Sequence, residues 1–139
     1  MRIELKRLDN AFHFEAKNDS GKILHLDGSL KIGGGNNAPS PMQALLMAMG
    51  GCSGIDVVLI LNKQKQEIKN FEIIIDGERE KSKEFSLWKT IHAHFILTGK
   101  IEKGKAERAV KLSIEKYCSV AETLRKAGAA ITYNVSVNE

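Results

Sequence analysis

The sequence predicts an α+β fold in one domain spanning residues 1–139, and three patterns carry that reading. Apolar and polar residues alternate with a period of two near both ends of the chain, as in half-buried strands. Between them runs Met42 to Leu61, MQALLMAMGGCSGIDVVLIL, a helix in which Gln43, Ser53 and Asp56 are the only distinctly polar residues. After Gly104 the apolar residues recur at helical spacing. A chain of 139 residues can bury about two-thirds of the surface its unfolded state exposes, enough for a core without disulfide staples.

Residues 1–30 read as a three-stranded antiparallel meander. Ile3 and Leu5, then Phe12, Phe14 and Ala16, alternate with polar neighbours, and a third run carries Ile23, Leu24 and Leu26 and closes at Gly28. Asp9-Asn10 and Asn18-Asp19-Ser20-Gly21 supply the turns. Residues 31–40 form a loop around Gly33-Gly34-Gly35-Asn36-Asn37. Ser40 can cap the next helix with Pro41 in its first position.

The central helix is expected over residues 41–66. Its apolar run meets the length test for a membrane span, but Gly50, Gly51, Gly54 and Asp56 interrupt it and the rest of the chain is charged and amphipathic. A helix apolar on all sides is buried on all sides. A sheet of the same chain covers one side; the other calls for a second subunit. Residues 68–138 hold the remaining strands and helices. Strands are read at Phe71–Glu80 and Trp88–Leu97 with a hairpin over Arg79–Phe85, Gly99 ending the second strand. A helix opens at Gly104 with Ala106, Ala109, Val110, Leu112 and Ile114. Ser119-Val120-Ala121-Glu122 reads as a capping box for a helix ending at Gly128, and Ala130–Val137 is the last strand.

Charge separates few function classes here. Lys plus Arg is 21 and Asp plus Glu 17, a net +4, and the lysines are scattered. A nucleic-acid surface gathers its basic residues and interleaves aromatics; this pattern argues for a solvated surface and no nucleic-acid partner. Two cysteines exclude a disulfide scaffold, and the N-terminus does not read as a secretory leader. The expectation is a cytoplasmic protein with reduced thiols and no membrane partner.

Both cysteines have a local electrostatic argument. Cys52 follows Gly50-Gly51, where a kink would leave N–H groups aimed at the thiol. Cys118 stands before the predicted capping box, at a helix start that favours the thiolate. Asp56, four residues after Cys52, shares its face and opposes ionisation unless it has a donor of its own. Plain packing is the competing account, since free cysteines are commonly buried. His92 and His94 have the spacing of a metal pair but no third ligand nearby, and His13 and His25 are isolated. No G-x-S-x-G and no phosphate loop occur.

Three segments together resemble the OsmC/Ohr family of osmotically induced and organic hydroperoxide resistance proteins, in its OsmC-like branch. They are Ser40-Pro41-Met42-Gln43-Ala44-Leu45-Leu46, Gly50-Gly51-Cys52-Ser53-Gly54-Ile55-Asp56-Val57-Val58, and Glu115-Lys116-Tyr117-Cys118-Ser119-Val120. The resemblance implies an intertwined homodimer, with antiparallel sheets wrapped around long central helices. It implies an antioxidant thiol peroxidase, an oxidoreductase of the stress response. Cys52 would be the peroxidatic cysteine and Cys118 the resolving one, closing a Cys52–Cys118 disulfide. No bound cofactor or metal is implied. The partners would be an organic hydroperoxide and an external dithiol reductant, a lipoyl group or a thioredoxin-like donor. Family members often carry a Glu where this chain has Gln43, paired with an arginine that holds the thiolate; Arg79 and then Arg7 are the candidates for that arginine. Gln43 cannot form the ion pair, which leaves a non-catalytic protein of the same fold, binding a small apolar ligand, as the alternative.

Overall fold

A computed structural model describes residues 1–139. The chain divides into two compact units, Met1–Leu45 and Leu46–Glu139.

In the first unit, β1 (Glu4–Arg7), β2 (Phe14–Lys17) and β3 (Ile23–Leu26) form an antiparallel sheet in the order β1-β2-β3, as the alternation predicts. Register places Leu5, Phe14, Ala16, Leu24 and Leu26 on one face and Lys6, Glu15 and His25 on the other. The apolar face stays open: Leu5, Phe14 and Leu24 are exposed, and a cleft of about 300 Å³ runs between Leu5, Phe12, Phe14, Leu26, Ile32 and Pro41. The loop that follows is organised by Asp27. Its buried carboxylate accepts the amides of Gly28 at 2.7 Å and Asn37 at 3.0 Å, and these bonds hold it below the usual carboxylate range.

Helix α1 (Pro41–Lys63) starts where predicted. Ser40 Oγ accepts the amide of Gln43 at 3.4 Å while Gln43 Oε1 accepts the amide of Ser40 at 3.0 Å, a reciprocal capping box. The helix stops at Lys63, short of the expected 66. Lys65 takes a left-handed φ of 58°, and the amides of Lys65 and Gln66 bond back to the carbonyls of Asn62 and Leu61. That is a Schellman ending with lysine in the usual glycine position.

The second unit carries the core. Strands β4 (Glu67–Arg79), β5 (Trp88–Lys100) and β6 (Ala130–Asn138) form a sheet in the order β4-β5-β6. β4 and β5 are antiparallel, but β5 and β6 are parallel, so the expectation of purely antiparallel sheets fails here. Two successive strands can run parallel only through a long crossover. That crossover is α2 (Lys103–Leu112), a π-helical turn (Ser113–Tyr117) and α3 (Ser119–Lys126). Gly99 does not end β5 as predicted. It lies within the strand at φ 142°, where a Cβ would stand 2.1 Å from the carbonyl oxygen of Glu67.

One face of this sheet meets the helices. Ile91, Ala93, Phe95 and Leu97 of β5 are essentially fully buried, with Met49, Val57 and Leu61 of α1 and Ala106, Ala109 and Val110 of α2. Each large side chain buried there contributes about 1.5–3 kcal/mol. The core uses one stripe of α1, Met49-Ser53-Val57-Leu61, at a spacing of four. Ala48, Gly51, Ile55 and Leu59 of the same helix remain exposed, so this chain buries only one side of it.

Candidate active site

Helix α1 and the α2–π–α3 crossover carry one cysteine each, and the fold brings the two together. Cys52 is half-buried on α1 and Cys118 is buried at the entrance to α3. Their side chains lie within electrostatic reach of each other, although 66 positions separate them in the sequence (118 − 52). Both are free thiols.

The glycines before Cys52 do not kink the helix, contrary to expectation; α1 is continuous through them. Their role is close approach. A Cβ on Gly50 would stand 3.0 Å from Ile75 Cδ1, and one on Gly54 would stand 3.2 Å from Ile73 Cδ1. Gly50 and Gly54, one turn apart, thus let α1 approach β4 closely. Gly51 has open space at its Cβ position and is exposed.

Cys118 is itself the N-cap of α3, the position the sequence assigned to Ser119. Its sulfur accepts the amide of Ala121 at 3.4 Å, and its own amide donates to the Ser113 carbonyl at 2.7 Å. Its thiol lies 3.9 Å from the Met49 carbonyl, three residues before Cys52, as a donor. The expectation that the helix start would favour a Cys118 thiolate is not met. Burial pushes the thiol up to about 11; the Ala121 amide works against this and the contact with Cys52 reinforces it. Cys118 is therefore held as a protonated thiol facing Cys52.

The Asp56 carboxylate has the donor partner it needs. Ser113 Oγ, fully buried, donates to Asp56 Oδ2 at 2.9 Å. Sequence reading passed over Ser113. Its signal was there, because Ser113 continues the buried stripe Ala106, Ala109 and Val110 of α2 into the π turn, and a polar residue on such a stripe needs a partner. The π turn is anchored at its other face by Glu115, which accepts from Lys111 Nζ at 2.9 Å and from Tyr133 of β6 at 2.7 Å. The Lys111 and Tyr133 bonds lower the Glu115 carboxyl, while burial, then the Glu115 contact, raises the Tyr133 hydroxyl to about 12. Beside the turn a cleft of about 350 Å³ opens, lined in part by Tyr117, Cys118, Ser119, Glu122 and Arg125.

The other predicted site residues are engaged elsewhere. Gln43 closes the cap of α1 within the first unit. Arg7, in the same unit, donates from Nε to the Ala11 carbonyl at 2.9 Å across the first hairpin. Arg79 donates from Nε to the Ser86 carbonyl at 2.9 Å and lies 5.9 Å from the Trp88 ring, within the β4–β5 hairpin. His92 bonds to Thr132 at 2.7 Å and Asn134 at 2.8 Å, and His94 to Ser136 at 2.8 Å, all on β6. Those bonds occupy both rings of the pair considered for zinc. His13 and His25 are not isolated; their ring nitrogens lie 2.9 Å apart.

A family model for OsmC-like proteins matches residues 33–134, which includes α1, both cysteines and the whole crossover. The chain belongs to the OsmC family. Protein YhfA of Escherichia coli K12 is 46% identical over 115 residues, 82% of each chain. A structure described as a hypothetical protein from Aquifex aeolicus is 32% identical, with a TM-score of 0.80 over 99% of this chain and 97% of that one. The fold is also shared, at 19% identity and a TM-score of 0.71, with a Legionella pneumophila protein described as an organic hydroperoxide resistance protein OsmC and predicted redox protein. That alignment covers 99% of this chain and 98% of the Legionella chain. Structural neighbours of this OsmC-family chain thus include proteins named for hydroperoxide resistance, and its relatives include YhfA.

Proposed function

We propose that this OsmC-family protein is a thiol-dependent peroxidase that reduces organic hydroperoxides through Cys52, with Cys118 as the resolving cysteine. The contact between the two side chains carries the reading. Two thiols packed only for burial have no reason to meet across two elements 66 positions apart.

The chemistry follows from their unequal surroundings. Cys52, the more accessible of the pair, attacks the outer oxygen of the O–O bond as the thiolate, releasing an alcohol and becoming a sulfenic acid. Cys118, held protonated beside it, then attacks the sulfenic sulfur. The S–S bond forms, the S–OH bond breaks, and the hydroxide leaves as water with the proton that Cys118 gives up. Cys52 packs against the hydrophobic core, a setting that suits an alkyl hydroperoxide. An external dithiol, a lipoyl group or a thioredoxin-like donor, returns the disulfide to two thiols, and the cleft beside Cys118 offers it a way in. The protein works in the cytoplasm, where such donors keep it reduced.

The same reading includes a homodimer. Helix α1 leaves Ile55 64% and Leu59 54% exposed, and a second copy covering that stripe accounts for a helix apolar all round. Light scattering is expected to give twice the 15.4 kDa chain mass; a monomer at micromolar concentration overturns the dimer.

Stopped-flow mixing with cumene hydroperoxide tests the activity. The wild type is expected to consume one peroxide per subunit rapidly with loss of two thiols, and Cys52→Ser to consume none. Equal, slow consumption by both proteins rules the peroxidase out, and a retained apolar molecule in native mass spectrometry would then favour ligand binding.

A further inference from the structure

Ser113 is bonded to both cysteine-bearing elements at once. Its buried hydroxyl donates to Asp56 Oδ2 at 2.9 Å and lies 3.5 Å from the Ser53 carbonyl, placing it against α1 within about one turn of Cys52. Its carbonyl accepts the Cys118 amide at 2.7 Å, the i to i+5 bond that closes the π turn. Asp56 stands one turn beyond Cys52 on the same face. A π turn is a rare irregularity that shifts everything after it around the helix, and here Cys118 is the residue immediately after it. Ser53, next to Cys52, spends its own hydroxyl on the Met49 carbonyl at 2.7 Å. Apart from those of Cys118, the side-chain hydrogen bonds tying the π turn to α1 all come from Ser113, the short one to Asp56 and the long one to the Ser53 carbonyl.

We propose that Ser113, through its hydrogen bond to the Asp56 carboxylate, is the positioning residue that holds Cys118 within disulfide-forming reach of Cys52. The catalytic consequence rests on the peroxidase reading above; the geometric claim does not. Disulfides form only over a narrow range of separation, with Cα atoms about 4.4–6.8 Å apart, so a small drift of the π turn removes Cys118 from reach.

Once Cys52 is a sulfenic acid, two reactions compete. Cys118 attacks the sulfur, forming S–S and releasing water. Alternatively a second hydroperoxide transfers an oxygen to the same sulfur, leaving a sulfinic acid and an alcohol. Only the first depends on where Cys118 is held. Ser113 therefore sets the partition between recycling and irreversible oxidation.

The test measures that partition in the full-length protein. Ser113→Ala removes the hydroxyl with almost no change of volume. The variant is oxidised under excess tert-butyl hydroperoxide and read as a ratio of products, which does not depend on the rate of Cys52 oxidation. Its ratio of sulfinic acid to disulfide, read by intact mass, should rise at least about fivefold, the worth of one buried hydrogen bond. Asp56→Ala should show the same change, Asp56→Asn should restore the wild-type ratio through its amide oxygen, and the Ser113/Asp56 double variant should be no worse than either single alanine variant. A second readout needs no peroxide. The equilibrium between the Cys52–Cys118 disulfide and oxidised glutathione should shift toward the dithiol by a similar factor in Ser113→Ala. An unchanged ratio and an unchanged glutathione equilibrium in Ser113→Ala overturn the positioning role. A wild type inert to hydroperoxide, with the glutathione shift intact, overturns the peroxidase reading and leaves the positioning role standing.

Discussion

Cys52 and Cys118 touch, yet the chain supports them by opposite means. Cys52 sits in the interior of a 23-residue helix, where its own backbone groups are spent on the helix and glycines on either side let the helix press against β4. Cys118 sits at a break between two helical segments, caps an 8-residue helix with its sulfur, and is only 2% exposed. The first residue is placed by a rigid element and left open to a reactant. The second is placed by a web of single hydrogen bonds and closed off. Under the proposed peroxidase reading that difference divides the labour: the accessible thiol would meet the peroxide, and the enclosed one would act on its neighbour.

Breaking the second arm of this comparison has the largest expected effect after loss of Cys52 itself. Cys118→Ser keeps a good N-cap for α3, so the fold should survive. Cys52 should still react once with hydroperoxide and then run on to the sulfinic acid. Intact mass spectrometry is expected to show two added oxygens and no loss of two hydrogens. A disulfide-linked dimer instead would mean that another Cys52 resolves the intermediate.

Next comes the pH dependence of the enclosed thiol. In the folded protein Cys118 titrates near 11, raised chiefly by burial, whereas an unfolded thiol titrates near about 8.5. Between those values the unfolded chain loses its proton and the folded chain keeps it. The unfolded state then binds fewer protons, so this group's contribution to stability is present below the unfolded value and is lost as pH rises through the window. Alkylation of Cys118 in the Cys52→Ser background should accordingly rise with pH only well above the ordinary thiol value. Half-maximal labelling at the ordinary value would mean that the thiol is not enclosed.

The smallest effect is expected at the far end of the helix that carries Cys52. Ser40→Ala removes the hydroxyl that accepts the Gln43 amide and should cost about 1 kcal/mol in chemical denaturation. The rate of Cys52 oxidation should be unchanged, because the core stripe of α1 fixes the thiol independently of the cap. A fall in that rate would show that the start of α1 is part of the site.

Much of this was legible in the residues. The alternation at Phe12, Phe14 and Ala16, the Ser40-Pro41 start and the helical spacing from Ala106 to Ile114 are local patterns, and each produced the expected type of element. The apolar composition of Met42–Leu61 also foretold that one chain would not cover it, as Ile55 and Leu59 show. The misreadings share a cause. Gly50-Gly51 was read as a weak point because glycine is flexible, whereas the neighbouring strand uses the missing side chains at Gly50 and Gly54 for contact. Gln43, where the resemblance puts an ion-pairing Glu, is spent on the cap of α1. The helix start at Cys118 favours the thiolate locally, but burial of the thiol outweighs it.

What the sequence determined by itself was therefore the list of elements, the greasy helix and the two cysteine motifs, because each depends on residues within a turn or two of one another. The tertiary structure decided that β6 runs parallel to β5, that the thiols meet, and that Ser113 reaches Asp56 across 57 positions (113 − 56). Those are contacts between distant segments. Their free energy comes from burial and from satisfying polar groups in a shared core, quantities that no local pattern carries and that exist only once the crossover has folded against α1.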